Sequence, residues 1–190
     1  SIIIPSCFCQ IRNRILPYDD DGFSFIIADA VIVDGVNIQS HGPNNDGCDP
    51  EYSKNVLIKN CTFNTGDDCI AIKAGRDNEG RKVGIMSENI IVRDCHMIDG
   101  HGGVVIGSEM SGGVKNMFVN NCTFLGTDIG LRFKSARGRG GVVENIYISD
   151  IGMTNIPGEA ILFDMYYAAK DPVPVYGEKT DIPEIKFEPV

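Results

Sequence analysis

NVLIKNCTF, residues 55–63, decides the fold because it recurs. NIIVRDCHM begins at Asn89, NMFVNNCTF at Asn116 and NIYISDIGM at Asn145, and a weaker copy, AVIVDGVNI, begins at Ala30. Successive starts fall 25, 34, 27 and 29 residues apart. At such a period each repeat is one supersecondary unit that buries its apolar face only against its neighbours. The second and fourth positions of each copy are apolar: Val56 and Ile58, Ile90 and Val92, Met117 and Val119, Ile146 and Ile148. That is the alternation of a strand with one buried face. A polar pair follows, Lys59-Asn60 or Arg93-Asp94, and apolar residues return at the seventh and ninth positions. The unit reads as strand, corner, strand.

A further apolar segment closes each unit: CIAIK from Cys69, GVVIG from Gly103, GLRFK from Gly130 and AILFD from Ala160. Alternation sends Ile70 and Ile72, Val104 and Ile106, Leu131 and Phe133, and Ile161 and Phe163 inward. Stacking such units buries a continuous core, so the expected fold is all-β, a right-handed parallel β-helix of about five coils spanning residues 30–167. Val36, Cys61, Cys95, Cys122 and Ile151 share one column, which makes the three thiols core residues rather than a redox device. Residues 1–29 match no coil, PYDDDG at 17–22 reads as a turn-rich surface segment, and the Pro-rich, charged residues 168–190 read as a long truncated excursion.

Composition narrows the function. At 43% apolar and 23% charged residues the chain is a folded domain, and no apolar stretch is long enough to cross a bilayer. The formal net charge of -9 argues against nucleic acid and acidic membrane surfaces as partners, and an acidic substrate would need a local basic patch. Seven cysteines show neither a CxxC pair nor a Cys/His zinc spacing, so no metal or cofactor is expected from them. The sequons Asn60-Cys61-Thr62 and Asn121-Cys122-Thr123 fall at repeat corners and read as structural.

The repeat register also predicts neighbours, because equivalent residues of adjacent coils lie about 4.8 Å apart. Counting twelve from the first Asn of each unit aligns Asp67, His101 and Asp128. Asp68 follows Asp67, and NNDGCDP in the preceding coil brings Asp46 and Asp49 to the same level. Arg132 and Lys134 are the outward positions of GLRFK, two coils below Asp67. Taken singly, the Asp doublet is a turn, His101 a loop residue and the two cations a solvated face. Their convergence on one face changes that reading, since clustered carboxylates raise one another's pKa. Such a cluster suits glycosidic hydrolysis, in which one protonated carboxyl donates to the leaving oxygen and an ionised one activates water. A cationic pair then recognises a carboxylate on the sugar.

NNDGCDP, TGDDCIAIK, GHGG and RFK occur in the order and setting of NTD, GDD, GHG and RIK in the polygalacturonase family of pectin-degrading glycoside hydrolases, which this chain resembles over residues 30–167. Asn45 stands where that pattern has Thr, and Phe133 where it has Ile. The long interval between GDD and GHG and the FDMYY at 163–167 look more like bacterial members than fungal ones. The resemblance implies inverting hydrolysis of α-1,4-linked galacturonic acid by a secreted or periplasmic monomer without metal or cofactor. Asp67 would be the general acid, and Asp46 and Asp68 would hold and activate the water. His101 would support the acid, while Arg132 and Lys134 would bind the galacturonate. Acid and base carboxyls of an inverting enzyme are expected roughly 6.5–9.5 Å apart. Two alternatives remain: a calcium-dependent pectate lyase with Asp46, Asp49, Asp67 and Asp68 as ligands, and a carbohydrate-binding β-helix without turnover.

Overall fold

The computed structural model describes residues 9–12, 15–16 and 23–167. Its first three strands, β1 (Cys9–Arg12), β2 (Ile15–Leu16) and β3 (Phe23–Ile26), lie in the stretch where the sequence reading found no coil. They pair in parallel with the three strands that follow, β4 (Asp29–Asp34), β5 (Asn37–Ser40) and β6 (Cys48–Glu51). The stack therefore begins before residue 30. The repeat pattern missed it because strands of two to four residues carry too few alternations to show a period. The segments 17–22 and 168–190 lie outside the described residues.

Below this the expected coils follow in order. The second comprises β7 (Lys54–Lys59), β8 (Thr62–Thr65) and β9 (Ile70–Ile72), and is followed by the helix α1 (Asp77–Val83). The third comprises β10 (Ser87–Arg93), β11 (His96–Asp99) and β12 (Gly102–Ile106). The last two are β13 (Val114–Phe124) with β14 (Ile129–Lys134), and β15 (Val143–Met153) with β16 (Ile161–Asp164). All these strands pair in parallel with their equivalents above and below, giving the right-handed parallel β-helix expected from the repeats. Val31, Val56, Ile90, Met117 and Ile146 form one column, and Val33, Ile58, Val92, Val119 and Ile148 the next. Cys61, Cys95 and Cys122 are buried free thiols packed with Phe63, Met97 and Phe124, as the column reading required. Ile161 and Phe163 point inward too, with Phe163 stacked on Phe133 at 4.5 Å, but they are about half exposed because they belong to the last described coil.

The corners explain why four of the five repeats start with Asn; the fifth starts with Ala30, at the same left-handed φ of 56°. Asn55, Asn89, Asn116 and Asn145 all have φ between 55 and 57°, in the left-handed region where Asn is tolerated better than other side chains. Their amides form a chain down the stack, Asn145 donating to Asn116 (3.0 Å), Asn116 to Asn89 (3.2 Å), Asn89 to Asn55 (3.0 Å) and Asn55 to Asp29 (2.8 Å). A second left-handed column, Asn60, Asp94, Asn121 and Asp150, makes the next corner. These two columns fix coil register at the surface while the apolar columns fix it inside.

Candidate active site

The site lies on the outward face of the sheet formed by β3, β6, β9, β12, β14 and β16. The turn before β9 delivers Asp67 and Asp68, and the chain before β6 delivers Asp46. The Asp68 backbone N–H donates to Asp46 Oδ1 (3.1 Å) and to Asp67 Oδ1 (2.9 Å), so one amide draws two carboxylates together. One carboxylate oxygen from each of Asp46, Asp67 and Asp68 consequently lies within 4.8 Å of the others.

His101 sits where the column count placed it. Its Nδ1 is 3.2 Å from Asp67 Oδ1, and its backbone N–H donates to the Asp67 carbonyl at 2.9 Å. Asp128, the third member of that column, is exposed. The flanking glycines matter for contact rather than flexibility. A Cβ at Gly102 would lie 3.0 Å from Asp68 Oδ1 and 2.4 Å from Val105, so a side chain there would crowd the Asp68 carboxylate. At Gly100, φ is +150° and a Cβ would lie 2.6 Å from the Asp67 carbonyl.

Lys134 and Arg132 behave differently from one another. Lys134 Nζ donates to Asp68 Oδ2 at 2.6 Å, and the pair is buried, with 7% and 2% of the two side chains exposed. Lys134 is thus committed to a protein carboxylate, whereas the outward-strand reading expected both cations to face a substrate. Arg132 is half-buried, and its guanidinium lies over the Tyr167 ring at 5.4 Å; Lys134 Nζ lies over the same ring at 5.0 Å.

The sequence reading missed Lys73. It follows β9 in the outward column that also holds Lys134, two coils away, so the alternation that selected Lys134 could have found it. Lys73 Nζ donates to Asp46 Oδ2 (2.7 Å) and Asp49 Oδ2 (2.6 Å). A second missed pair lies along the same groove, where Arg139 Nη1 donates to Glu109 Oε1 at 3.2 Å. Here α1 braces the wall, with Arg81 donating to the Gly138 and Arg139 carbonyls.

These environments separate the carboxyls. Burial pushes Asp68 up, the Lys134 charge and hydrogen bond pull it back, and the Asp46 and Asp67 charges add to the rise; the net is above the usual carboxylate range. Asp49 is held well above that range by burial and the Asp46 charge, against the pull of Lys73. Burial also pushes Asp46 up, but the Lys73 ammonium and hydrogen bonds overcome it and leave Asp46 below its usual value. Asp46 is thus the more readily ionised of these carboxyls, and Asp68 and Asp49 the less. The same contacts bear on the metal alternative: Asp46 and Asp49 are engaged by Lys73, and Asp68 by Lys134. A Ca²⁺ ion needing six to eight oxygens would have to displace both ammonium groups.

Fold and site together define a parallel β-helix with a cluster of carboxylates on one outward face. The family model for Glycosyl hydrolases family 28 matches residues 18–190, and the chain belongs to that family. It is 41% identical over 129 residues to a polygalacturonase of Ralstonia nicotianae, covering 66% of this chain and 22% of that one. In structure it is similar to a hyperthermoactive exopolygalacturonase from Thermotoga maritima (TM-score 0.75, 45% identity, 76% of this chain and 33% of that one). It is also similar to the polygalacturonase from Erwinia carotovora (TM-score 0.67, 34% identity, 76% and 36%). The chain thus spans about a fifth to a third of the length of these relatives.

Proposed function

We propose that the chain carries the catalytic centre of a hydrolase that cleaves α-1,4-linked galacturonic acid in pectin with inversion. The observation that carries this reading is the convergence of Asp46 and Asp67 on the Asp68 amide, with a different partner for each of the three carboxylates. Asp67, with His101 beside it and, among the described residues, no ammonium group bonded to it, donates the proton to the glycosidic oxygen. His101 orients that carboxyl through its Nδ1 contact. Asp46 and Asp68 orient the water and accept its proton. Asp46 contributes the more ionised carboxylate.

Arg132 supplies the positive charge that recognises the galacturonate carboxylate, supported by the Tyr167 ring on which it lies. Lys134 contributes indirectly, since its charge at Asp68 reduces the repulsion that an acidic polymer meets from a chain of net charge -9. The substrate is a polymer of plant cell walls, so the reaction belongs outside the cytoplasm. Described helices offer no membrane span, none being long and apolar enough to cross a bilayer.

Chromatography of the products formed from defined galacturonate oligomers tests this reading. New saturated products with reducing ends are expected. An unsaturated product absorbing in the ultraviolet and abolished by chelator would make the chain a lyase, and saccharide binding without new reducing ends would make it a binding module.

A further inference from the structure

We propose that Lys73 is a positioning residue of the hydrolytic site: its ammonium clamps Asp46 and Asp49 together and holds Asp46 as a charged acceptor beside Asp67 and Asp68. This rests on the hydrolase reading above and assigns a role that the motif residues leave open. Lys73 is firmly mounted. Its backbone N–H donates to the Pro50 carbonyl (2.9 Å), and its own carbonyl accepts from the Tyr52 N–H (3.2 Å) and the Ser87 hydroxyl (2.7 Å). Ala71 and Ile72 just before it are fully buried. The ammonium therefore reaches the carboxylates from a fixed base, with only 22% of the side chain exposed.

The distribution of cations over the cluster supports the assignment. Among the described residues two ammonium groups serve the carboxylates: Lys73 takes Asp46 and Asp49, and Lys134 takes Asp68. Asp67, the proposed proton donor, is bonded to neither and meets His101 instead. Among the described residues the lysines thus fall on Asp46 and Asp68, the groups assigned to water, and on Asp49 beside them, and leave Asp67 without one. Among the described residues, the charged and titratable groups around Asp46 are Lys73 from the end of β9, Asp49 from β6, and Asp67 and Asp68 from the turn before β9. Three of these four are acidic, so Lys73 is the opposing charge that keeps Asp46 ionised.

The test compares Lys73→Met, Lys73→Arg and Lys73→Met/Asp49→Asn in the full chain; the double variant removes the buried carboxyl that Met would leave without its cation. Removing the ammonium raises the Asp46 pKa, so the acid limb of kcat/KM on polygalacturonate should move to higher pH by about one unit or more. In parallel kcat should fall on the order of 10²-fold, with KM changing little. Lys73→Arg, which keeps the charge, should return the acid limb to its original position. Carbon-13 NMR titration of the aspartate carboxyls, with Asp46 assigned from Asp46→Asn, reads the same linkage without turnover. An acid limb and an Asp46 titration unchanged in Lys73→Met and in the double variant would overturn the proposal. If the wild type releases no reducing ends, the hydrolase reading fails on its own, and the titration still decides whether Lys73 governs Asp46.

Discussion

Replacing Lys134 by Met should be among the most destabilising single changes on the groove face. Lys134 and Asp68 form a buried pair at 2.6 Å, and Met fills the space of the lysine stem while leaving the Asp68 carboxylate without its cation. Breaking a buried pair on one side costs about 3–5 kcal/mol. At about 2–4 °C per kcal/mol for a chain of this size, the melting temperature should fall by about 6–20 °C at neutral pH. The sign of the pH dependence follows from Asp68. Its folded-state pKa is already raised by burial, and loss of Lys134 raises it further. The cost is therefore greatest above that raised value, and it shrinks as the pH falls and Asp68 protonates in both folded and unfolded chains. Adding Asp68→Asn removes the orphaned charge and should recover most of the stability, giving a coupling of about 2–3 kcal/mol in the double-mutant cycle. Calorimetry and urea denaturation of the four proteins measure both quantities. A melting change under about 2 °C, or a loss as large in acid as at neutral pH, would refute the reasoning.

Asp49→Asn should stabilise the protein at neutral pH, because a group whose folded-state pKa is raised favours folding below the usual carboxylate range and disfavours it above; thermal melts should show the gain vanish in acid. Asn89→Ala should cost about 1–3 kcal/mol in denaturant melts, from two lost amide hydrogen bonds and a left-handed φ of 57°, with Asn89→Gly retaining the hydrogen-bond share of that loss and recovering the backbone share. Phe124→Ala, at a fully buried position, should cost about 3–5 kcal/mol by the same measurement. Cys48, Cys61, Cys69, Cys95 and Cys122 should resist alkylation in the native protein and react in denaturant, as mass spectrometry of the labelled peptides would show.

The fold was legible because a parallel stack repeats its chemistry at each level. Val56, Ile90 and Met117 share a column in space for the reason that they share a position in the repeat. The same counting brought Asp67 to His101, since backbone register sets that distance. What counting could not supply was the reach of long side chains between coils. Lys134 and Lys73 lie two coils apart in one outward column, and alternation says only that both leave the core. That one bends to Asp68 and the other to Asp46 and Asp49 depends on rotamers and on the space left at Gly102, which no periodicity encodes. The coil formed by Cys9–Arg12, Ile15–Leu16 and Phe23–Ile26 escaped notice because its strands are too short to show a period, although their pairing to the next coil is regular.

The measurement that reaches the central claim most directly is time-resolved proton NMR of the product first formed from an α-linked galacturonate oligomer. Attack by water held at Asp46 and Asp68, with protonation by Asp67, predicts that the new reducing end appears first as the β-anomer and only later equilibrates. First appearance of the α-anomer would contradict it by requiring a covalent intermediate, and an unsaturated sugar would contradict hydrolysis altogether.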